Sequence, residues 1–234
     1  MSLYLLINIL TIGPTLLLSF DKKVHFYTSW RYLVPALLIS MALFIAWDVF
    51  FTAHGVWGFN ERYYGQISLL GLPLEEFLFF ITVPYASIFT IHVFASYFPN
   101  FRLSANQART LALILMTALI LIALINIRKS YTAVNFISSA LLIGLVLLKK
   151  PEILRRFFVV FPVILIPFGL VNGILTGSFI EEQIVWYNDL ENLGIRLGTI
   201  PLEDIFYGMT LILLNNFLME TFRGRVPGNK SVSE

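Results

Sequence analysis

Long apolar stretches alternate with short polar ones along the whole chain. A helix needs about 20 residues to cross the hydrocarbon layer of a bilayer, and seven stretches approach or exceed that length. The fourth and fifth are the weakest, since only a short break around Arg128 separates them, and fusion into one re-entrant pair is an alternative. Arg128 and Lys129 belong at an interface rather than at the bilayer centre, which favours seven spans. The predicted spans are Leu3–Phe20, Leu33–Phe51, Pro73–Phe98, Thr110–Ile127, Thr132–Leu148, Phe157–Leu175 and Pro201–Phe222.

The composition indicates that lipid is the solvent of this chain. Hydrophobic residues make up 58% of it and charged residues 13%, and the mean hydropathy is +0.81. A soluble domain carries about 25% charged residues. We therefore predict an all-α polytopic membrane protein with about seven transmembrane helices. The first stretch is expected to remain as a helix rather than be cleaved, because no positive segment precedes it and Lys22 and Lys23 follow it.

Several kinds of site are excluded by residues that the sequence lacks. Without Cys there is no disulfide, thiolate nucleophile, Fe–S cluster or Cys-type zinc site. Neither a Gly-x-Gly-x-x-Gly nor a Walker sequence occurs, which argues against a bound dinucleotide or nucleotide. The histidines, His25, His54 and His92, are too scattered to suggest a metal site. We expect no cofactor and no metal.

The basic residues predict an orientation in the membrane. With seven spans, twelve Lys and Arg residues fall on the side that holds the C-terminus, and four fall on the other side. Because cytoplasmic loops carry the excess of basic residues, the N-terminus is expected outside and the C-terminus in the cytoplasm of a multi-pass cell-membrane protein. The net charge of +2 then reflects topology, and we expect no nucleic-acid partner. The four residues on the outer side are Arg62, Arg128, Lys129 and Arg196.

An internal repeat divides the chain. Ile67–Glu76 and Ile195–Asp204 share five identical residues at one constant offset, and both contain a Pro-Leu-Glu-acid motif. Upstream, Asp48-x-x-x-Thr52 resembles Asn172-x-x-x-Thr176 after a shift of four residues. We interpret this as a 3+1+3 parallel internal repeat with its pseudo-two-fold axis along the membrane normal. The predicted units are a first three-helix repeat (1–108), a connecting helix (109–130), a second three-helix repeat (131–222) and a cytoplasmic tail (223–234).

The duplicated acidic motif provides candidate chemistry. Pro73 and Pro201 suit the first position of a helix, which places the acids in the first turn. There the acids would complement the helix dipole, but a dipole does not require two adjacent acids in both halves. Acids at membrane depth point to function, and because neighbouring carboxylates repel, one of each pair is expected to keep its proton. The catalytic candidates are Glu75, Glu76, Glu203 and Asp204.

Other side chains are candidates for supporting roles. Asp48, at the end of the second span, either orients Glu75 or lies at the interface, and Asn172 holds the matching place in the second half. Phenylalanines within a turn of the acids have ring faces that attract a cation. The tryptophans and tyrosines of the two long loops are interpreted as an interfacial aromatic belt. The cation-stabilising candidates are Phe77, Phe79, Phe80 and Phe206, and the belt residues are Trp57, Trp186, Tyr63, Tyr64 and Tyr187.

At these motifs the chain resembles the integral-membrane lycopene cyclase family, whose members occur as heterodimers or as single-chain fusions. The resemblance covers Trp47–Phe77 in one half and Val171–Asp204 in the other, and it indicates both halves fused in one chain. It implies cofactor-independent, proton-initiated cyclisation of the ends of lycopene or a related linear carotene, with no net redox change. The paired acids would act as proton donor and acceptor. Implied partners are the lipid bilayer and other membrane enzymes of the carotenoid pathway.

Alternatives of different kinds are considered beside this interpretation. A membrane carotenoid hydratase or a cyclase of longer carotenoids would use the same acids. A 3+1+3 small-molecule transporter shares the parallel repeat, but sugar transporters of this kind carry Pro-Gln dipeptides, which are absent here. A retinal-binding seven-helix protein needs a Schiff-base Lys in its last helix, and Pro201–Phe222 contains none.

The charge asymmetry makes a testable prediction about topology. Reporters fused after Glu234 should be active in the cytoplasm, and reporters inserted near Ser178 should be active outside, because basic residues are retained on the cytoplasmic side. An enzyme reporter that works in only one compartment, paired with one that works in the other, measures this. A C-terminal reporter on the outside would contradict either the number of spans or their orientation.

Overall fold

A computed structural model describes residues 1–225, which form seven α-helices. Every predicted span corresponds to one of them, with the ends displaced by a few residues. The predicted tail overlaps the last helix at residues 223–225, and its remaining residues lie outside the described part. The helices are α1 (Leu3–Leu18), α2 (Trp30–Ala53), α3 (Leu74–Tyr97), α4 (Ala105–Ile125), α5 (Ser130–Lys149), α6 (Pro151–Leu175) and α7 (Leu202–Arg225), and a 3₁₀ turn (Phe26–Ser29) precedes α2.

The helices α2 to α7 are long and apolar enough to cross a membrane, which is compatible with a multi-pass membrane protein. The remaining helix, α1, has 16 residues and is shorter than a full span. The weak fourth and fifth stretches are two separate helices, α4 and α5, of 21 and 20 residues. A polar break, Asn126–Lys129, separates them, so the re-entrant pair is not formed.

Helix packing follows one pattern in both halves of the chain. Within the first half α1 packs on α3, and within the second half α5 packs on α7. Between the halves α2 packs on α7 and α3 on α6, and α3 also touches α7. The helix α4 covers α5 and α6. The 3+1+3 repeat stays a prediction, and this matched packing supports it.

The two long loops contain short strands that the hydropathy pattern did not predict. Each loop ends in a hairpin just before an acidic helix: β2 (Ser68–Leu69) pairs with β3 (Leu72–Pro73), and β5 (Arg196–Leu197) pairs with β6 (Ile200–Pro201). In the first hairpin the turn residues Leu70 and Gly71 both have positive φ, at 56° and 82°. Two such residues form the turn whose twist matches that of antiparallel strands.

The hairpins fix where the acidic helices begin. The backbone N–H of Leu74 donates to the carbonyl of Ile67 at 3.1 Å, and that of Leu202 donates to the carbonyl of Ile195 at 2.9 Å. Pro73 is consequently the residue before the helix, in an extended conformation, and the prediction that it is the first helical residue was wrong by one position. The acids still lie in the first turn of α3 and α7.

The two halves are also joined through their loops by one antiparallel strand pair. Strand β1 (Trp57–Phe59) pairs with β4 (Val185–Tyr187), and Gly58 lies opposite Trp186 at the centre of the pair. The ring of Trp186 lies over Gly58 so closely that a Cβ there would come within 2.3 Å of Cζ2. No side chain fits at position 58 without moving the ring.

This close approach predicts that Gly58→Ala destabilises the protein. Overpacking of this kind costs about 1–3 kcal/mol, so the purified variant should unfold at a lower temperature than wild type in detergent. Gly13→Ala in α1 is the matched control, since a Cβ there meets nothing within 4 Å and Ala is the better helix former. Equal melting of the two variants would show that the strand pair tolerates a displaced Trp186 ring.

Candidate functional site

The structure brings one acid of each motif into a common cavity between the two halves. Glu76 from the start of α3 and Asp204 from the start of α7 both line it, as do Asp48 from α2 and Asn172 from α6. All four side chains are buried. The free volume is about 40 Å³, and we call this space the site cavity. The cavity thus holds one acid of each motif together with Asp48 and Asn172, the two residues predicted to support the motifs.

Asp204 is surrounded by hydrogen-bond donors. Its Oδ1 accepts from the hydroxyl of Tyr131 at 2.5 Å, and its Oδ2 accepts from Asn172 Nδ2 at 2.7 Å and from the hydroxyl of Tyr187 at 3.0 Å. Tyr187 belongs to strand β4, outside the helices, and burial raises the pKa of its phenol well above the ordinary value. Its hydroxyl therefore remains a donor. Three donors stabilise the ionised form of this carboxyl group.

Glu76 has fewer donors and an acidic neighbour. Its Oε2 accepts a short hydrogen bond from the hydroxyl of Tyr4. Asp48 lines the same cavity and accepts a short bond from the indole N–H of Trp57 through Oδ1, while its Oδ2 has no hydrogen-bond partner within the described residues. Asp48 thus lies beside Glu76, whereas Glu75 is hydrogen-bonded to other residues, so the predicted role of orienting Glu75 is not met.

No basic side chain among the described residues of the lining balances the acids of the site cavity. Within residues 1–225, no Lys, Arg or His side chain lines it, whereas Asp48, Glu76 and Asp204 do. Three ionised carboxylates in an apolar interior without a cation would repel strongly. The arrangement therefore requires that at least one of these carboxyl groups carries a proton, and the shared environment of Glu76 and Asp48 is where a proton is best retained.

Glu75 and Glu203, the other members of the motifs, lie elsewhere. Neither lines the site cavity, although both are buried, with 4% and 0% of their surface exposed. Glu75 Oε1 accepts from the hydroxyl of Ser2 at 2.6 Å and from the backbone N–H of Gly65 at 2.7 Å. The two glutamates are therefore buried apart from each other, and each points towards the loop of its own half.

The second half repeats this arrangement. Glu203 Oε1 accepts from Thr132 Oγ1 at 2.5 Å and from the backbone N–H of Leu193 at 2.8 Å. The amide of Asn135 donates to the backbone carbonyl of Glu203 at 2.6 Å, as the amide of Asn8 does to that of Glu75 at 3.1 Å. These glutamates hold α1 and α5 and the adjacent loops against α3 and α7.

Of the four phenylalanines predicted to stabilise a cation, one is placed to do so. Phe79 lines the site cavity. Phe80 is buried beside it and packs against Phe44, with ring centroids 5.8 Å apart. Phe206 packs against Phe136 at 5.0 Å, and Phe77 lies in the surrounding apolar core. The three others do not line the site cavity.

The walls of the site cavity are formed largely by aromatic residues that the sequence did not single out for this role. Trp57 and Tyr187, interpreted as belt residues, are part of it, whereas Trp186 of the belt is 41% exposed. Tyr207 follows the second motif by one helical turn, so its spacing from Asp204 was a usable signal. The others come from four separate elements: Tyr4, Phe59, Tyr131 and Phe168.

Comparison with known families gives one match. The model of the lycopene cyclase family matches residues 1–94 and 128–222, which is most of the chain and includes both acidic motifs. The unmatched segment, 95–127, contains α4, the helix that connects the halves. Neither the curated proteins nor the solved structures include a match to the chain.

The position of Glu75 and Glu203 predicts that both are needed for stability. Glu75→Ala and Glu203→Ala each leave a partly buried backbone N–H, of Gly65 or Leu193, without its acceptor, at a cost of about 1 kcal/mol, the lower end of the range for a buried group. Both variants should therefore melt earlier than wild type in detergent. Glu61→Ala is the control, since Glu61 is exposed in the loop that contains Gly65. Melting of all three at one temperature would be incompatible with this structural role.

Proposed function

The chain belongs to the lycopene cyclase family, and from this premise we propose that it converts the linear ends of lycopene into six-membered rings by proton-initiated cyclisation. Family membership supports an enzyme of carotenoid cyclisation acting on a linear carotene. The observation that carries the finer proposal is the meeting of Glu76 and Asp204, one from each half, in one aromatic-lined cavity.

The proposed reaction moves one proton in and one proton out. A protonated carboxyl adds its proton to the terminal double bond of the carotene, which leaves a tertiary carbocation. The π electrons of the neighbouring double bond attack this cation, form the carbon–carbon bond that closes the ring, and transfer the positive charge into the ring. A carboxylate then removes a ring proton, and its electrons form the ring double bond. Substrate and product are isomers, so the enzyme is of the isomerase, or intramolecular lyase, class and needs no redox cofactor.

The two acids differ in surroundings, and this difference assigns their roles. Asp204 accepts three hydrogen bonds, from Tyr131, Asn172 and Tyr187, and these favour its ionised form. We assign it as the base that removes the ring proton. Glu76 shares the cavity with Asp48 and accepts one bond, from Tyr4, so it is the proton donor. A pair of titratable groups held in opposite protonation states is the usual basis of acid–base work.

The aromatic wall suits a positively charged intermediate. Tyr207 packs edge-on against Trp57, Trp47 and Phe44, with ring centroids 6.1, 5.2 and 5.0 Å away, so its own ring is held rigidly. Phe79 and Phe168 complete the apolar part of the lining. Faces of such rings stabilise cations by about 2 kcal/mol or more when water is excluded. The ionised Asp204 adds an opposite charge in the same space.

Glu75 and Glu203 act as positioning residues in this proposal. Each lies next to a reacting acid in the sequence and fixes the first turn of its helix against the loop through Gly65 or Leu193. Rotation of this turn would move Glu76 or Asp204 out of the site cavity. The four acids predicted to be catalytic are thus of two kinds in this proposal. In each half one acid reacts and its neighbour positions it.

The setting of the reaction follows from the same proposal. The carotene reaches the enzyme from the lipid bilayer, with the acidic ends of α3 and α7 on the extracytoplasmic side, the N-terminus outside and the C-terminus in the cytoplasm. The 3+1+3 repeat places Glu76 and Asp204 at equal depth. Other membrane enzymes of the carotenoid pathway are proposed partners, since they supply or consume the same lipid-dissolved compounds.

A pigment extract from cells that make lycopene together with this chain tests the function. A yellow-orange product of unchanged mass is expected of a cyclase. A mass gain of one water would indicate a hydratase that captures water at the cation. Unchanged lycopene, with turnover of a longer carotenoid in parallel cells, would indicate a cyclase of longer substrates, and no turnover of either would overturn the proposal in favour of a non-enzyme such as a transporter.

The assigned roles predict large effects of conservative changes. Glu76→Gln removes the proton donor and Asp204→Asn removes the base, and each should lower ring formation at least about 100-fold, the smaller end of general acid–base contributions. Ring formation is measured by chromatography of extracts after equal membrane expression. Glu61→Gln, exposed in the loop, should behave as wild type. Normal product from both cavity variants would exclude this pair as the reacting groups.

A further inference from the structure

A second, larger cavity lies at the side of the helix bundle, between α1, α3 and α6. Its free volume is about 330 Å³, against about 40 Å³ for the site cavity. The rim residues Leu10 and Leu170 are 63% and 60% exposed, whereas Ile7 and Val83 in its floor are buried. The cavity, which we call the side groove, therefore opens laterally to whatever surrounds the helices, and in a membrane this is lipid.

The chemistry of the side groove suits a hydrocarbon. Its lining is apolar apart from hydroxyl groups, and three of these are already hydrogen-bonded within their own helices. Thr11 donates to the carbonyl of Ile7 at 2.8 Å, Thr15 to that of Ile12 at 2.9 Å and Thr90 to that of Ala86 at 2.9 Å. Because these hydroxyls already have partners, a chain without polar atoms takes no hydrogen bond from them.

Phe168 connects the side groove with the site cavity, because its ring belongs to the lining of both. The ring rests on Gly208 of α7, where a Cβ would lie 2.9 Å from Cζ. At the matching positions of the other half, Phe44 packs against Phe80 instead, with ring centroids 5.8 Å apart. Phe168 thus has a glycine where its counterpart Phe44 has a second large ring, and it is a residue that both linings share.

The site cavity alone has too little free space for a long carotene. Its volume of about 40 Å³ holds only a few water-sized probes, since about 10–15 Å³ of such volume holds one water. Only the reacting end of the substrate can be accommodated there, after displacement of side chains. The rest of the molecule must lie in adjoining apolar space, and the side groove adjoins through Phe168.

The second half has larger side chains where the first half has the side groove. The shared motifs match α3 with α7 and α2 with α6. The equivalent contacts of Asn8 and Asn135 match α1 with α5. Ala86 and Thr90 on α3 correspond to Leu214 and Leu218 on α7. On α1, Pro14 and Thr15 correspond to Leu141 and Leu142 on α5. On α6, Val171 and Ile174 correspond to Trp47 and Phe50 on α2. Two positions of α6 differ in the other direction, since Ile164 and Leu170 correspond to the smaller Ser40 and Ala46. At most of these positions the second half therefore carries the bulkier side chain.

We propose that the side groove between α1, α3 and α6 is the entrance for the substrate and holds the linear polyene chain while one end reaches Glu76 and Asp204 past Phe168. This proposal rests on the proposed cyclase function. One entrance also means that the two ends of a carotene react in separate binding events, with release and reversal between them. We propose that the occupant of the side groove is a linear polyene. An acyl chain of a phospholipid is the alternative occupant.

Filling the side groove with the residues of the second half tests the proposal. The double variant Ala86→Leu/Thr90→Leu should raise the apparent KM for lycopene about tenfold or more, as expected when a filled site must be overpacked, and should accumulate the product with one ring. Thr117→Leu/Ala118→Leu makes the same substitutions on the exposed face of α4 and is the matched control. An unchanged KM and product ratio in the groove variant would overturn the proposal.

A binding experiment separates this proposal from the cyclase function. A photo-crosslinking amino acid is placed at Thr90, or at its counterpart Leu218, in protein that carries Glu76→Gln and so retains bound substrate. Lycopene should crosslink at least about ten times more at position 90, in proportion to occupancy of the site. Equal labelling at both positions, or labelling by phospholipid that added lycopene does not displace, would overturn the side groove as entrance. Selective labelling in a protein whose wild type forms no ring would support the groove and contradict the cyclase.

Discussion

Five acids are buried within residues 1–225 of this protein, and each needs hydrogen-bond donors. This requirement decides which helices pack together. Ionised or protonated, a carboxyl group in an apolar interior is costly unless its oxygens are hydrogen-bonded. Donors come from helices that would otherwise have little reason to approach: α1 supplies Ser2 and Tyr4 to α3, and α5 supplies Tyr131 and Thr132 to α7. The pairing of α1 with α3 and of α5 with α7 therefore follows from the acids as much as from apolar packing. Asp48, Glu75, Glu76, Glu203 and Asp204 are the five.

Hydropathy predicted the helices well because membrane insertion depends on length and apolarity, which are read directly along a sequence. The predicted ends differ mainly where polar residues continue a helix beyond its apolar run. Helix α4 begins at Ala105, capped by Ser104, and α6 begins at Pro151, whereas the apolar runs began at Thr110 and Phe157. The strand pair of β1 with β4 was not predictable, since its partners are distant in the sequence and only three residues long.

The motifs located the candidate site but not its geometry. Adjacent residues on a helix point about 100° apart, so only one of Glu75 and Glu76 faces the site cavity, and the rotation of α3 that decides between them is fixed by tertiary contacts. Tyr4 and Tyr131 escaped notice because each is one aromatic residue among many at the start of an apolar helix. What identifies them is the hydrogen bond each donates to a carboxyl group of the site cavity.

The short first helix has a consequence for the membrane itself. Sixteen residues rise about 24 Å, whereas the hydrocarbon layer is about 30 Å thick. A short apolar helix is accommodated by thinning of the bilayer, by flanking side chains that reach the interface or by association with other helices. The difference in length makes α1 the helix at which lipid and protein must adapt to each other, whereas α2 to α7 are long enough to cross.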